Sequence, residues 1–99
     1  MACWAHARRK FVEAEKTSPA LAHEAVARIR QLYAVEHNAK DLDPPARATL
    51  RRQNAAPLLD ALKLWLDREQ AQAVPKTPIA EALQYALHAS RVHGPRRRQ

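Results

Sequence analysis

The chain has 99 residues, 46% of them hydrophobic, with 21 alanines, one glycine and one cysteine. That length holds one domain or a piece of a larger one, and a chain so poor in turn glycines and so rich in alanine is a helical protein rather than a sheet protein. Seventeen Lys and Arg against ten Asp and Glu give +7 at neutral pH; four of those charges are arginines within residues 91–99, which hold no acid, so the remainder carries an ordinary +3.

In chain order, Trp4, Ala7, Phe11 and Ala14 recur at three- and four-residue steps and predict a first helix within residues 3–16. Thr17-Ser18-Pro19 ends it and opens the next, with Ser18 as cap and Pro19 in the first turn. Residues 19 to about 40 form the longest periodic segment: Ala22, Ala25, Val26, Ile29, Leu32 and Tyr33 share a face, and Glu36 ends that face as its odd polar member. Asp43-Pro44-Pro45 repeats the cap-plus-proline signal and predicts a short helix through Leu50 to Gln53. Pro57 either interrupts it or opens the following segment. Leu58, Leu62, Trp65 and Leu66 then trace a helix to about Gln72, and Thr77-Pro78 opens a last one with Ile79, Ala82, Leu83, Ala86 and Leu87 on one side. Gly94-Pro95 ends any helix, and Arg96-Arg97-Arg98 reads as a solvated tail. No apolar run approaches ~18 residues, so nothing spans a membrane, and Arg8, Arg9 and Lys10 follow the apolar start in the wrong order for a secretory signal. A lone Cys3 excludes an internal disulfide and fits a reducing cytoplasm.

Candidate chemistry is sparse. Cys3 and His6 form C-x-x-H and would share a helix face, but structural zinc needs four ligands and no other histidine pair supplies the rest. A packed cysteine and a polar histidine outweigh a metal site on spacing alone. Arg8, Arg9, Lys10, Arg51 and Arg52 are the candidates for phosphate contact, against the blander reading of solvated helix faces. Trp4, Phe11 and Trp65 read as core rather than as base-stacking platforms. Asp41 and Asp43 sit where helix capping explains at least one of them, and Glu13, Glu15, Asp60, Asp67 and Glu69 read as surface charge. No catalytic residue is assigned, and the only glycine, Gly94, cannot make a phosphate loop.

Cys3-Trp4-Ala5-His6-Ala7-Arg8-Arg9-Lys10-Phe11 resembles a signature of the insertion sequence 66 family of bacterial transposases. The resemblance continues through Leu32-Tyr33-Ala34-Val35-Glu36, Pro57-Leu58-Leu59-Asp60-Ala61-Leu62 with Trp65-Leu66, Pro75-Lys76-Thr77-Pro78-Ile79 and Ala82-Leu83-Gln84-Tyr85-Ala86-Leu87, in order, over residues 2–87. It implies DNA cut-and-join chemistry on a ribonuclease-H-like enzyme, with an Asp-Asp-Glu triad holding two divalent metals, magnesium or manganese. This segment would be the helical insertion between the second aspartate and the glutamate. Cys3, Trp4 and His6 would then be a structural or active-site-supporting motif, with no metal assigned to this chain. Met1 stands almost at the motif and the family pattern departs after Leu87, which leads us to expect a truncated segment, with a frameshift as one origin.

The expectations are therefore an all-α fold of four or five helices without the sheet core, residues 2–90 as the transposase helical segment and 91–99 as a basic disordered tail. The core should draw on Trp4, Phe11, Val26, Ile29, Leu32, Tyr33, Leu58, Leu62, Trp65, Leu66, Leu83 and Leu87. The leading function is a transposase fragment that lacks the catalytic acids, binds DNA weakly and non-specifically, and is inactive alone. The alternative is a small helical interaction module that associates with a full-length transposase. Exposed apolar surface would favour self-association.

Overall fold

The computed structural model describes residues 4–93, with side chains through Arg91, and all its elements are helical. They are α1 (Trp4–Ala14), α2 (Pro19–Ala39), α3 (Pro44–Leu50), a π turn (Arg51–Ala55), α4 (Ala56–Gln72) and α5 (Pro78–His93). The all-α expectation holds. Because α3, the π turn and α4 follow one another without a break, the described residues make four rods.

The starts of these helices follow from local chemistry. Asp43 caps α3, its side chain accepting from the Ala46 N–H at 3.0 Å, and Pro44 takes the first helical position. Thr77 caps α5 in the same way, accepting from the Ala80 N–H at 3.2 Å. Ser18 departs from expectation. Its hydroxyl makes no capping bond, and its backbone carbonyl takes the Ala22 N–H at 3.0 Å instead. Pro19 has no N–H to satisfy, which removes one of the orphan donors a cap would serve. Between α4 and α5, Pro75-Lys76 turns the chain, and Lys76 takes φ 66°, where glycine is the ordinary occupant.

Pro57 neither breaks the rod nor merely opens α4. A proline inside a helix removes one i→i−4 bond and crowds the carbonyl four residues back. The backbone widens just ahead of it: the Ala56 N–H donates to the Arg51 carbonyl, five residues back. The rod from Pro44 to Gln72 is then ~43 Å long at 1.5 Å per residue, equal to the longest dimension of the molecule, 43 Å.

The core lies where α1, α2, α4 and α5 meet. Phe11, Ile29, Leu62, Leu66 and Leu83 are the largest fully buried side chains. Alanines fill the close approaches: Ala7 and Ala14 of α1, Ala25 of α2, and Ala82 and Ala86 of α5 are all fully buried. Small residues on both sides let α1 and α5 pack backbone to backbone. Trp4, Val26 and Leu58 are partly buried against this core rather than inside it. Tyr33 is a correction, since it lies 44% exposed. Leu32 and Val35 take the inward positions on that turn of α2, and Tyr33 sits one step round the helix from them.

α3 and the π turn bury no residue at all. They lean on the end of α2 through polar contacts, in which Arg47 donates to the Ala39 and Leu42 carbonyls at 3.3 and 2.9 Å. At the other end, α5 runs through Arg91, Val92 and His93, three residues into the expected tail, with Ala89 and Ser90 buried. The buried face continues past Leu87 with a serine in it, whose hydroxyl donates to the Leu87 carbonyl at 2.8 Å. Gly94 to Gln99, including Arg96-Arg97-Arg98, lie outside the described residues.

Candidate functional site

α1 presents Arg8 and Arg9 to solvent, because the Ala7, Phe11 and Ala14 face is the one buried. Lys10 is held differently. It is half-buried, with its Nζ 5.3 Å from the centroid of the Tyr85 ring on α5. His6, one turn earlier, meets the same tyrosine edge-on with ring centroids 6.5 Å apart, and its Nδ1 lies 3.5 Å from the Tyr85 hydroxyl. His6 and Lys10 thus face α5 together, and Tyr85 is the partner that sequence reading did not assign. A separation of four residues on α1 was the available signal. Trp4 packs against the core, and Cys3 lies outside the described residues.

The second basic group sits on the π turn. Arg51 makes a forked pair with Glu36 of α2, its Nε and Nη2 donating at 3.0 and 2.7 Å to the two carboxylate oxygens. The hydrogen bond and charge of Glu36 raise the Arg51 pKa above its ordinary value. Both side chains are about half exposed, so solvent screening holds the pair to ~1 kcal/mol or less. Glu36 is the odd glutamate of the α2 stripe, and this pairing is what it does. Arg52, Gln53 and Asn54 beside it are exposed. The two basic groups lie on different elements: α1 packs on α2 and α5, and the π turn on α2, α3 and α4.

Other polar contacts are local. Glu24 and Arg28 pair one turn apart on α2, with the Arg28 guanidinium 5.3 Å from the Trp65 ring centroid. Glu15, in the turn after α1, pairs with His23 of α2 beside an open groove of about 290 Å³ lined by Val12, Ala22, Val26 and Arg30. That groove offers no nucleophile with a base beside it. Among the described residues, no three of His, Cys, Asp and Glu gather closely enough to hold a metal ion. Two-metal chemistry needs converging acids, so the described residues do not fit such a centre. No helix among them is long and apolar enough to cross a membrane.

The family model described as Transposase IS66 family matches residues 1–92. The chain belongs to that transposase family. The match carries past Leu87, where the sequence reading placed a departure, in step with α5 running on to His93. The chain is similar to the uncharacterized proteins y4hP and y4qI of Sinorhizobium fredii, each 31% identical over 86% of this chain, and over 18% and 16% of their own lengths. A third protein of that organism, y4jD, is also 31% identical, over 17% of its length. The chain thus spans less than a fifth of the curated relatives it matches. No solved structure matches it.

Proposed function

We propose that this chain is a helical, DNA-contacting segment of a transposase, acting in the cytoplasm and inactive in strand cleavage alone. Membership of the IS66 transposase family over residues 1–92 is the observation that carries the reading. In such enzymes magnesium or manganese on an Asp-Asp-Glu triad would supply the chemistry, and the described residues here offer no matching cluster. The role left to this segment is to bind and steady the nucleic acid. Arg8, Arg9 and Arg52 are exposed, and in this reading they neutralise phosphates without reading sequence. Binding is then weak and non-specific, and falls steeply with salt.

Titrating duplex DNA at increasing ionic strength tests this. Three phosphate contacts give a log–log slope of about −2 to −3, and replacing Arg8 and Arg9 by glutamine flattens it. Binding indifferent to salt refutes a phosphate-driven mode. No magnesium- or manganese-dependent nicking should accompany binding; cleavage abolished by changing an acid of this chain overturns the inactive assignment.

A second reading rests on exposed apolar side chains. Leu64 on α4 is 70% exposed and Val74 beyond it is 66% exposed, which suits a helical module docking on a full-length transposase or on itself. Size-exclusion chromatography of the chain alone and mixed with the full-length protein separates these cases.

A further inference from the structure

We propose that the π turn is a phosphodiester-binding site whose ligand position Glu36 fills when no nucleic acid is bound. This deepens the DNA-contact reading and rests on it. Three observations carry it. First, Arg51 offers a two-pronged donor set, and two carboxylate oxygens occupy it at 2.7 and 3.0 Å. Two oxygens of a phosphate accept from a guanidinium in the same forked arrangement. Second, the pair is open to water, with 50% and 49% of the two side chains exposed, so a duplex backbone can reach the fork and displace the carboxylate. Third, the neighbours are donors awaiting an acceptor surface. Arg52, Gln53 and Asn54 are all exposed, and no residue of the turn is tied into the core.

The contrast with other arginines sharpens the point. Arg47 spends its donors on the Ala39 and Leu42 carbonyls, which keeps it at the helix junction. Arg28 pairs with Glu24 one turn away on the same helix, as helical spacing alone arranges. Arg51 and Glu36 are fifteen positions apart on different elements, and the fold brings them together. Glu36 therefore acts as an internal competitor. It weakens loose contacts with single anions and yields to a polyanion that engages Arg51 and Arg52 at once.

The test is a double-mutant cycle on duplex binding at low salt, with circular dichroism to check the fold. Glu36→Gln removes the competitor and should tighten binding about threefold to fivefold. Glu24→Gln removes the same formal charge from the same helix without releasing Arg51, and should change binding far less. In an Arg51→Gln background, Glu36→Gln should lose its gain. Should the glutamine variant melt, Glu36→Asp keeps the charge but breaks the fork, and should also tighten binding. Inorganic phosphate, supplied at the same phosphate concentration as the duplex, should show no saturable binding to either form. Wild-type duplex binding with no gain in Glu36→Gln, or an equal gain in Glu24→Gln, overturns the proposal alone. Saturable binding of inorganic phosphate that matches the duplex overturns it in favour of a free-anion site. A folded wild type that ignores duplex DNA at low salt overturns the DNA-contact reading, and this proposal with it.

Discussion

Replacing Phe11 by alanine removes the largest side chain that α1 buries, at a position with no solvent exposure. It belongs to the core cluster drawn from all four rods, with the small Ala7 and Ala14 beside it on the buried face of α1. Alanine neighbours have no length with which to fill the space left behind, so the cavity persists and the cost falls in the usual range for such a truncation, ~3–5 kcal/mol. A domain of this size has ~5–15 kcal/mol in total, towards the lower end for so short a chain. At ~4–8 °C per kcal/mol for domains of this length, the midpoint should fall by roughly 12–40 °C. Thermal melting followed by helical circular dichroism measures it, with Val12→Ala as the control. Val12 is next in sequence but 43% exposed, and its truncation should cost ~1 kcal/mol or less. If Phe11→Ala moved the midpoint no further than Val12→Ala, the packing of α1 on the other rods would be wrong.

Other outcomes follow from single contacts. Asp43→Ala removes the cap of the long rod and should cost ~1 kcal/mol in the same melt, whereas Ser18→Ala should cost less because the Ser18 hydroxyl caps nothing; equal losses contradict the geometry. Lys76→Gly relieves a left-handed backbone and should stabilise by ~0.5–1 kcal/mol; a clear loss refutes that assignment. The Arg51 pKa is raised in the folded state, so its contribution is complete below the unfolded guanidinium's pKa and fades only as pH rises past the folded one. Between about pH 7 and 9 the wild type and Glu36→Gln should therefore keep a constant difference in stability, and a difference that narrows across that window counts against the pairing. Dialysis against a chelator should leave the melting midpoint unchanged, since no three ligating side chains gather among the described residues; a lower midpoint, with one zinc per chain before dialysis, points to a metal site.

Helix positions were largely legible in the sequence because their signals are local. Alanine content and the stripes at three- and four-residue steps mark the rods. Asp43-Pro44 and Thr77-Pro78 mark two helix starts within a few residues, and a capping bond needs no distant partner. Continuation of α3 into α4 was not legible. A proline reads as a break, and only the backbone ahead of Pro57 shows that a wider turn absorbs it. Tyr33 was misplaced for a related reason. Hydrophobic periodicity names a stripe but not its edges, and the packing of the neighbouring rods decides which edge residue is covered.

Basic residues divide in the same way. Their number and order are sequence facts, yet the state of each depends on what the fold brings beside it. Arg8 and Arg9 remain in solvent, Lys10 rests on Tyr85, and Arg51 is held by Glu36. Sequence by itself determined the helical class, the main helix boundaries and the transposase family, because each is written in short-range patterns or in an ordered string of motifs. Tertiary structure alone decided what holds Lys10 and Arg51, since their partners lie 75 and 15 positions away along the chain and only packing makes them neighbours.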